Sequence, residues 1–174
     1  MEFWTGSKHN LASVGCSDLS LTLGGDVIRP SDHVRLLGVT LAEDLSLDRH
    51  VSNVCKSCFF WLHQLRRVRR SLDIESVKTL VHAFVRSRVD YCNSVLALSP
   101  MTITDKLQRV LNSAARLITA TGNFDRGLSQ LLHDDLHWLD VPQRVQYKLA
   151  VMVHRCLGRR CHVPSVRLSR GGLS

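Results

Sequence analysis

Apolar residues recur at three- and four-residue steps through most of the chain after residue 46, which is the spacing of one helix face. The clearest stretch runs from Ser76 to Ile118, where two such patterns are separated by Ser99-Pro100. The first pattern contains Val77, Leu80, Val81, Phe84, Arg88, Cys92 and Val95. The second contains Ile103, Leu107, Val110, Leu111, Ala114 and Ile118. Because their connection is short, we expect two antiparallel helices packed stripe to stripe.

Capping residues predict where these helices and the preceding one begin and end. The residue before a proline avoids helical backbone, so the first helix of the pair should end at Ser99-Pro100. Thr102 and Asp105 have the spacing of a reciprocal cap for the second helix. A longer helix is expected from Ser46, as its N-cap, to about Arg70. Its inward face would contain Val51, Val54, Cys55, Cys58, Leu62 and Leu65.

The segment after residue 119 is predicted to be a loop that is followed by two further helices. Residues 128–139 should form a short helix leading into Trp138, which we expect to seal the core. Asp140 can cap the last helix, with Pro142 in its first turn and Gln143 at the capping-box position. The apolar stripe of that helix would contain Val145, Leu149, Met152, Val153 and Cys156.

Before residue 46 the pattern is typical of strands. The runs LSLTL and DVIR alternate around Gly24-Gly25, a pair that tolerates the positive φ of a tight turn. VRLLGVTL is a third run, rich in leucine and β-branched residues. We therefore expect a three-stranded meander from about Leu19 to Leu41.

These elements predict an α+β protein that is mostly α and has one hydrophobic core. A short β meander would occupy residues 1–45, and a bundle of four to five helices would occupy residues 46–157. Residues 158–174 lack periodicity and are rich in Arg, Ser and Gly. Disorder is the expected state of this basic tail.

Composition narrows the class of protein. Of the 174 residues, 44% are hydrophobic and 22% are charged, as in globular domains. The sequence contains no apolar run of about 18 residues and does not open with a charged and then apolar leader. We expect an intracellular protein, in the nucleus or cytoplasm, that is neither secreted nor inserted in a membrane. Its six cysteines, irregularly spaced, fit reduced thiols better than disulfides.

Cys55 and Cys58 form a CxxC pair, which is half of many zinc sites. No second CxxC or HxxxH pair follows at ligand spacing, and both cysteines fall on the apolar stripe of their helix. We interpret them as buried core thiols and expect no metal site. Cys156, Cys161 and His162 give no stronger signal of one.

The net charge of +8 is concentrated in two parts of the chain. Residues 49–70 carry six basic and no acidic side chains, and residues 155–174 carry five basic and no acidic ones. A cluster in the first part contains Arg66, Arg67, Arg69 and Arg70. These arginines wrap more than half of a helix, so at least two should face away from the core. They form either a solvated face at the helix C-terminus or a patch whose guanidinium groups contact phosphates.

The strings LVHAFVRSRVDYCNSVL, KLQRVLNSAARLI and LHWLDVPQRVQYKL follow one another at fixed distances, and HVRLLGVTLAEDLSLDRHVSNVCKS precedes them. In this order they resemble the distal palm and thumb of reverse transcriptases from LINE-type, jockey-like non-LTR retrotransposons. The likeness covers about residues 2–157. It implies a fragment whose remaining palm strands and fingers lie before Met1.

The resemblance also shows which chemistry the sequence lacks. The intact family polymerase uses Mg²⁺ ions held by three aspartates, two of them in a Tyr-x-Asp-Asp turn. That turn is not in this chain. The single Asp-Asp pair, Asp134-Asp135, has helical flanks and no tyrosine two positions ahead. We therefore expect no catalytic residue and no cofactor in this chain, and no primer extension by it.

The resemblance favours the phosphate-contacting interpretation of the four arginines, with an RNA–DNA hybrid as the partner. Thumb helices of such polymerases follow the minor groove of the primer–template, so Lys106, Arg109 and Arg116 are further candidates; a solvated helix face is the alternative. Phosphate contacts would position a duplex without reading its bases. Three function classes remain. They are a polymerase fragment that at most holds nucleic acid, a non-catalytic interaction module or non-functional transposon relic, and an independent enzyme, for which we find no site.

Overall fold

A computed structural model describes residues 21–28, 31–121 and 131–158. The beginning of the predicted meander, most of the predicted loop after residue 121 and nearly all of the predicted tail lie outside these ranges. Within them the protein is mostly helical, and two short antiparallel β hairpins precede the helices. The first hairpin pairs β1 (Leu21–Leu23) with β2 (Asp26–Ile28), and the second pairs β3 (His33–Leu36) with β4 (Val39–Ala42). This confirms the mostly helical α+β class.

The prediction of a three-stranded meander is wrong in the described residues, because the run VRLLGVTL forms two strands instead of one. Leu37 and Gly38 both have positive φ, at 47° and 83°, which is the backbone of a tight hairpin turn. The Tyr91 hydroxyl donates to the carbonyl oxygen of Leu37 over 2.7 Å, and a Cβ on Gly38 would meet the Tyr91 ring at 3.5 Å. A contact from the helical part thus stabilises a turn hidden in an apolar run. The turn at Gly24-Gly25 was predicted, and both glycines have positive φ.

Five α-helices follow the hairpins in the described residues. They are α1 (Asp48–Val68), α2 (Ile74–Val81), α3 (Ser87–Asp90), α4 (Met101–Thr119) and α5 (Val141–Gly158). A π-helical segment, His82–Arg86, joins α2 directly to α3. Shorter helical turns span Arg69–Ser71, Asn93–Leu98 and Leu131–Asp135.

The π-helical segment changes which residues of α2 and α3 face the core. Four valines at four-residue steps, Val77, Val81, Val85 and Val89, are at most 3% exposed. Four-residue steps drift by about 40° each around a regular helix, and the wider π turn reduces that drift. Phe84, which belongs to the predicted apolar stripe, is therefore only half-buried, and so is Arg88.

This helical segment ends earlier than predicted, at Asp90. Cys92 has a φ of 51°, a left-handed conformation that a right-handed helix does not contain. The chain continues as a 3₁₀ turn over Asn93–Leu98, in which Val95 is 46% exposed and not part of the core. The end predicted for the helix at Ser99-Pro100 is instead the end of this 3₁₀ turn, where Ser99 is extended, as the residue before a proline is expected to be.

The predicted caps have different outcomes. The reciprocal cap between Thr102 and Asp105 is not formed, since α4 begins directly after Pro100 with no side-chain cap. At α5 the backbone N–H of Asp140 donates to Oε1 of Gln143 over 3.0 Å, which is half of the predicted capping box. The other half is absent because the Asp140 carboxylate accepts a hydrogen bond from Gln108 of α4 instead.

The core surrounds α4, whose buried residues are Ile103, Thr104, Leu107, Val110, Leu111, Ala114, Ala115, Leu117 and Ile118. α1 runs in the same direction as α4, because Asp48 at its start pairs with Lys106 and Arg69 beyond its end contacts Leu117. α1 begins two residues after the predicted cap Ser46, whose hydroxyl accepts from the N–H of Asp48. The segment from α2 to α3 runs antiparallel to α4, as predicted. Arg69 contacts both Leu72, just before α2, and Leu117, near the end of α4. At the other end of the segment, Val89 of α3 and Leu107 of α4 line the same small cavity.

The interpretation of the CxxC pair as core thiols is confirmed for Cys58, which is completely buried with its Sγ 3.8 Å from the carbonyl oxygen of Val85. Burial raises the pKa of this thiol to about 12. Cys55 is half-buried beside it, and burial raises its pKa as well. Both thiols are therefore protonated and poorly reactive near neutral pH.

α5 packs against the core only through its first turns. Val141 and Val145 are buried, and so is Trp138 just before the helix, as predicted. The predicted stripe fails further along, because Met152 and Val153 are 46% and 56% exposed. Among the described residues, no helix combines the length and the apolar character needed to cross a membrane.

Candidate nucleic-acid interface

One side of α1 carries basic side chains along its whole length and into the 3₁₀ turn that follows. We define this basic face by five exposed residues: Arg49, Lys56, His63, Arg67 and Arg70. At about 100° per residue, they lie within about 60° of one another around the helix. With a rise of 1.5 Å per residue they extend over about 31 Å. The single acidic residue of α1, Asp48, pairs with Lys106, so the basic face has no anionic neighbour on its own helix.

Three of the four predicted arginines are available for contacts outside the chain. Arg66, Arg67 and Arg70 are exposed, and none of them forms an ion pair or a side-chain hydrogen bond with the described residues. Exposed guanidinium groups without a carboxylate partner keep their full charge and all five donors for an external anion.

Arg69 has a different environment, although it lies between the same residues in sequence. Its Nε and Nη2 donate to the carbonyl oxygens of Leu117 and Ile118 over 3.0 Å each. Its Nη1 donates to the carbonyl oxygen of Leu72 over 3.2 Å. The last carbonyls of a helix have no partner within it, so Arg69 satisfies the C-terminal end of α4. Three of its five N–H donors are thus occupied inside the protein, which leaves Arg69 less able to bind phosphates than its exposed neighbours.

The three candidates on α4 are not equivalent either. Lys106 is half-buried and forms an ion pair with Asp48, which compensates its charge. Arg109 is exposed and has no ion pair among the described residues. Arg116 is half-buried and lies at the end of α4 that Arg69 contacts, which is the same end of the molecule as Arg67 and Arg70.

Sequence reasoning missed part of the basic face. The positive charge of residues 49–70 is visible in the sequence, but only the arginine cluster at its end was predicted to bind nucleic acid. Arg49, Lys56 and His63 repeat at seven-residue steps, which is the signal that could have identified them. Sequence reasoning also missed Phe60, which lies in line with the basic face between Lys56 and His63 and is 57% exposed. The Phe60 ring meets Trp61 edge-on at 5.5 Å. Exposed aromatic rings beside cations are typical of surfaces that bind single-stranded bases by stacking.

A cavity of about 670 Å³ opens beside the basic face, between the β3–β4 turn and helices α1 and α3. Asn53 of α1 lines it and is exposed. Arg35 and Arg88 make the cavity positive. Burial, and then the charge of Arg35, lower the pKa of His50, whose Nδ1 lies 3.4 Å from the N–H of Thr40. His50 is therefore a neutral acceptor near pH 7, and the cations of the cavity are the two arginines.

The Asp134-Asp135 pair lies in a helical turn and not in the strand turn of a polymerase site. Asp134 and Asp135 are exposed and belong to the helical turn Leu131–Asp135, not to a turn between strands. Across the described ranges, no group of three or more His, Cys, Asp or Glu side chains is arranged to hold a metal ion.

Comparison of the chain with protein-family models, with curated proteins and with solved structures finds no match.

Proposed function

We propose that this chain is the distal palm edge and thumb of a LINE-type, jockey-like non-LTR retrotransposon reverse transcriptase, and that it holds an RNA–DNA primer–template through α1 without catalysing extension. The proposal is supported by the resemblance of the four sequence strings given above. The missing palm and fingers would supply the catalytic aspartates and the Mg²⁺ that they hold.

The observation that carries the proposal is the basic face of α1. A basic row about 31 Å long matches a nucleic-acid backbone better than it matches a small ligand, because the phosphates of a duplex form an extended array of charge. The neighbouring cavity at the β3–β4 turn adds Arg35 and Arg88 on one side. The contact between Nη1 of Arg49 and Nδ1 of His33, at 3.2 Å, joins the basic face to that hairpin.

The test replaces Arg67 and Arg70 by Gln, which keeps helix propensity nearly unchanged and removes two charges. Affinity for a fluorescently labelled RNA–DNA hybrid is measured by anisotropy between about 50 and 200 mM salt, and log Kd is plotted against log salt concentration. We expect the slope to flatten by about 0.9 for each phosphate that the variant no longer neutralises. Circular dichroism should show unchanged helical content.

A matched control replaces Lys78 and Arg155 by Gln, which removes the same charge from α2 and α5. It should leave the salt slope within the error of the parent protein. Equal effects of the two double variants would mean that net charge alone attracts the hybrid. An unaltered affinity and slope in the Arg67/Arg70 variant would assign these arginines to plain surface and contradict the proposal.

The proposal also predicts that the chain has no polymerase activity by itself. The purified chain, mixed with primer, template, magnesium and nucleotides, should extend no primer, because the proposed fragment lacks the Tyr-x-Asp-Asp turn. Extension above a buffer control, in a preparation free of other polymerases, would reveal an active site within these 174 residues.

One observation favours a second candidate, a helical protein-interaction module. The end of α5 exposes Met152, Val153 and Leu157, the last of these to 80%. Apolar helix positions left uncovered are typical of surfaces that bind another protein. Hybrid binding that ignores salt and the α1 arginines would favour this candidate.

A further inference from the structure

A second basic cavity lies where α3 and the Asn93–Leu98 turn meet the beginning of α5. Its volume is about 290 Å³, near the lower end for small-ligand sites. Its charged and polar lining is formed by Arg86, Asp90, Asn93, His137, Arg144, Tyr147 and Lys148. None of these residues belongs to the basic face of α1.

A buried cation forms the wall of this cavity. The side chain of Arg144 is 6% exposed, and its Nη1 donates to both carboxylate oxygens of Asp90 over 3.0 Å. Its Nε donates to the carbonyl oxygen of Leu139 over 2.7 Å. The guanidinium carbons of Arg144 and Arg86 lie 5.9 and 5.5 Å from the centre of the Trp138 ring. Several contacts thus hold two guanidinium groups side by side at this cavity.

These contacts leave hydrogen-bonding capacity unused. In the part of the chain that the structure describes, three buried side-chain atoms have no hydrogen-bond partner: Nε of Arg86, Oδ1 of Asn93 and Nη2 of Arg144. All three residues line this one cavity. Nε of Arg86 is 3.5 Å from Asp90, which is an ion-pair distance and not a formed hydrogen bond. Since a buried unpaired polar group is costly, their concentration at one cavity indicates a missing partner.

The charge balance shows what that partner would be. Arg86, Arg144 and Lys148 bring three positive charges, and Asp90 brings one negative charge. Burial, and next the charge of Arg144, lower the pKa of the Arg86 guanidinium, so the two cations disfavour each other. An anion with two negative charges would neutralise the excess. A phosphomonoester carries nearly this charge at pH 7 and offers three acceptor oxygens to the guanidinium groups, while a hydroxyl group elsewhere in the ligand can donate to Oδ1 of Asn93.

We propose that the cavity between α3 and α5 binds the dianionic phosphate of a small phosphomonoester. Arg144 and Arg86 hold the phosphate oxygens, Lys148 closes the outer side, and Asn93 contacts a hydroxyl of the ligand. This site differs from the basic face of α1 in its chemistry, because phosphodiesters in a nucleic-acid backbone carry one negative charge each.

The experiment measures the Kd of inorganic phosphate by calorimetry, using the full chain at constant ionic strength set with chloride. We expect saturable one-site binding. Replacing Lys148, which is exposed, by Gln should weaken it about tenfold, equivalent to about 1.4 kcal/mol. Because Lys148 is on the surface, this variant keeps the fold and the result does not depend on the stability of a buried substitution.

Three controls make the outcome specific. Replacing Arg155 by Gln, a position of equal charge further along α5, should leave the Kd unchanged. Replacing Arg67 and Arg70 by Gln should also leave it unchanged, so a failure of the nucleic-acid proposal and a failure of this one are distinguishable. Dimethyl phosphate, a monoanionic diester, should not compete. Absence of saturable phosphate binding, or equal weakening by the Lys148 and Arg155 variants, would overturn the proposal.

Discussion

The arginines at the end of α1 and the arginines around Trp138 are the same residue type in opposite surroundings. Arg66, Arg67 and Arg70 face solvent without any partner among the described residues. Arg144 is buried, and a carboxylate, a backbone carbonyl and an aromatic ring surround its guanidinium. In the first region every donor is available to an external partner, whereas in the second Nε and Nη1 of Arg144 are used within the protein and its Nη2 is left unpaired.

The difference shows that the density of positive charge in a sequence does not identify a binding surface. At least two of the four arginines at residues 66–70 were predicted to face outward; three do, and Arg69 is internal. Arg144, by contrast, belongs to no run of charge in the sequence and is 6% exposed. The environment of each guanidinium decides whether its loss changes stability or binding.

Substitutions in both regions test whether the two sets of arginines differ in this way. The largest loss of stability is expected where a buried charge loses its counterion. Replacing Asp90 by Asn leaves Arg144 beside Arg86 without a negative charge. We expect the free energy of unfolding to fall by about 3 kcal/mol. Urea unfolding followed by circular dichroism would measure this. Adding Arg144→Met to Asp90→Asn should cost less than the sum of the two single changes, since the unpaired cation is then gone. Additive losses would show that the two residues do not interact.

A smaller effect is expected at Arg69, the internal member of the surface cluster. Replacing it by Gln removes donors from the carbonyls of Leu72, Leu117 and Ile118. The free energy of unfolding should fall by about 1 to 3 kcal/mol, which is the cost of unsatisfied polar groups at a helix end. Arg70→Gln is the neighbouring control and should change stability by less than about 0.5 kcal/mol. Similar values for the two variants would place Arg69 with the surface residues after all.

The smallest change in stability is expected for the exposed arginines. Replacing Arg66, Arg67 and Arg70 together by Gln should alter the free energy of unfolding by no more than about 0.5 kcal/mol per position. The same urea titration measures it. A loss of several kcal/mol would show that these side chains are internal, and the contrast between the two regions would disappear.

Much of the helical architecture follows from the sequence. The periodic apolar residues predicted α1, α4 and the antiparallel pairing of α4 with the preceding helix, because one stripe of each helix must be buried. Proline at residue 100 and the glycine pair at residues 24 and 25 marked a helix end and a turn through local backbone preference alone. The arginine cluster was visible as a run of charge, but its function stays a prediction.

The tertiary structure alone decided the features that depend on neighbours distant in sequence. A turn at Leu37 was hidden because Tyr91, 54 residues away, stabilises a conformation that leucine disfavours by itself. The π-helical segment keeps Val77, Val81, Val85 and Val89 on one buried line, because its wider turn offsets the drift of four-residue steps. The inward orientation of Arg69 and the cavity at Arg144 arise where helix ends meet, and a periodic pattern contains no information on which carbonyls remain unpaired there. Local preferences act between adjacent residues and can be read from the chain, whereas the partners of buried polar groups exist only after the helices have packed.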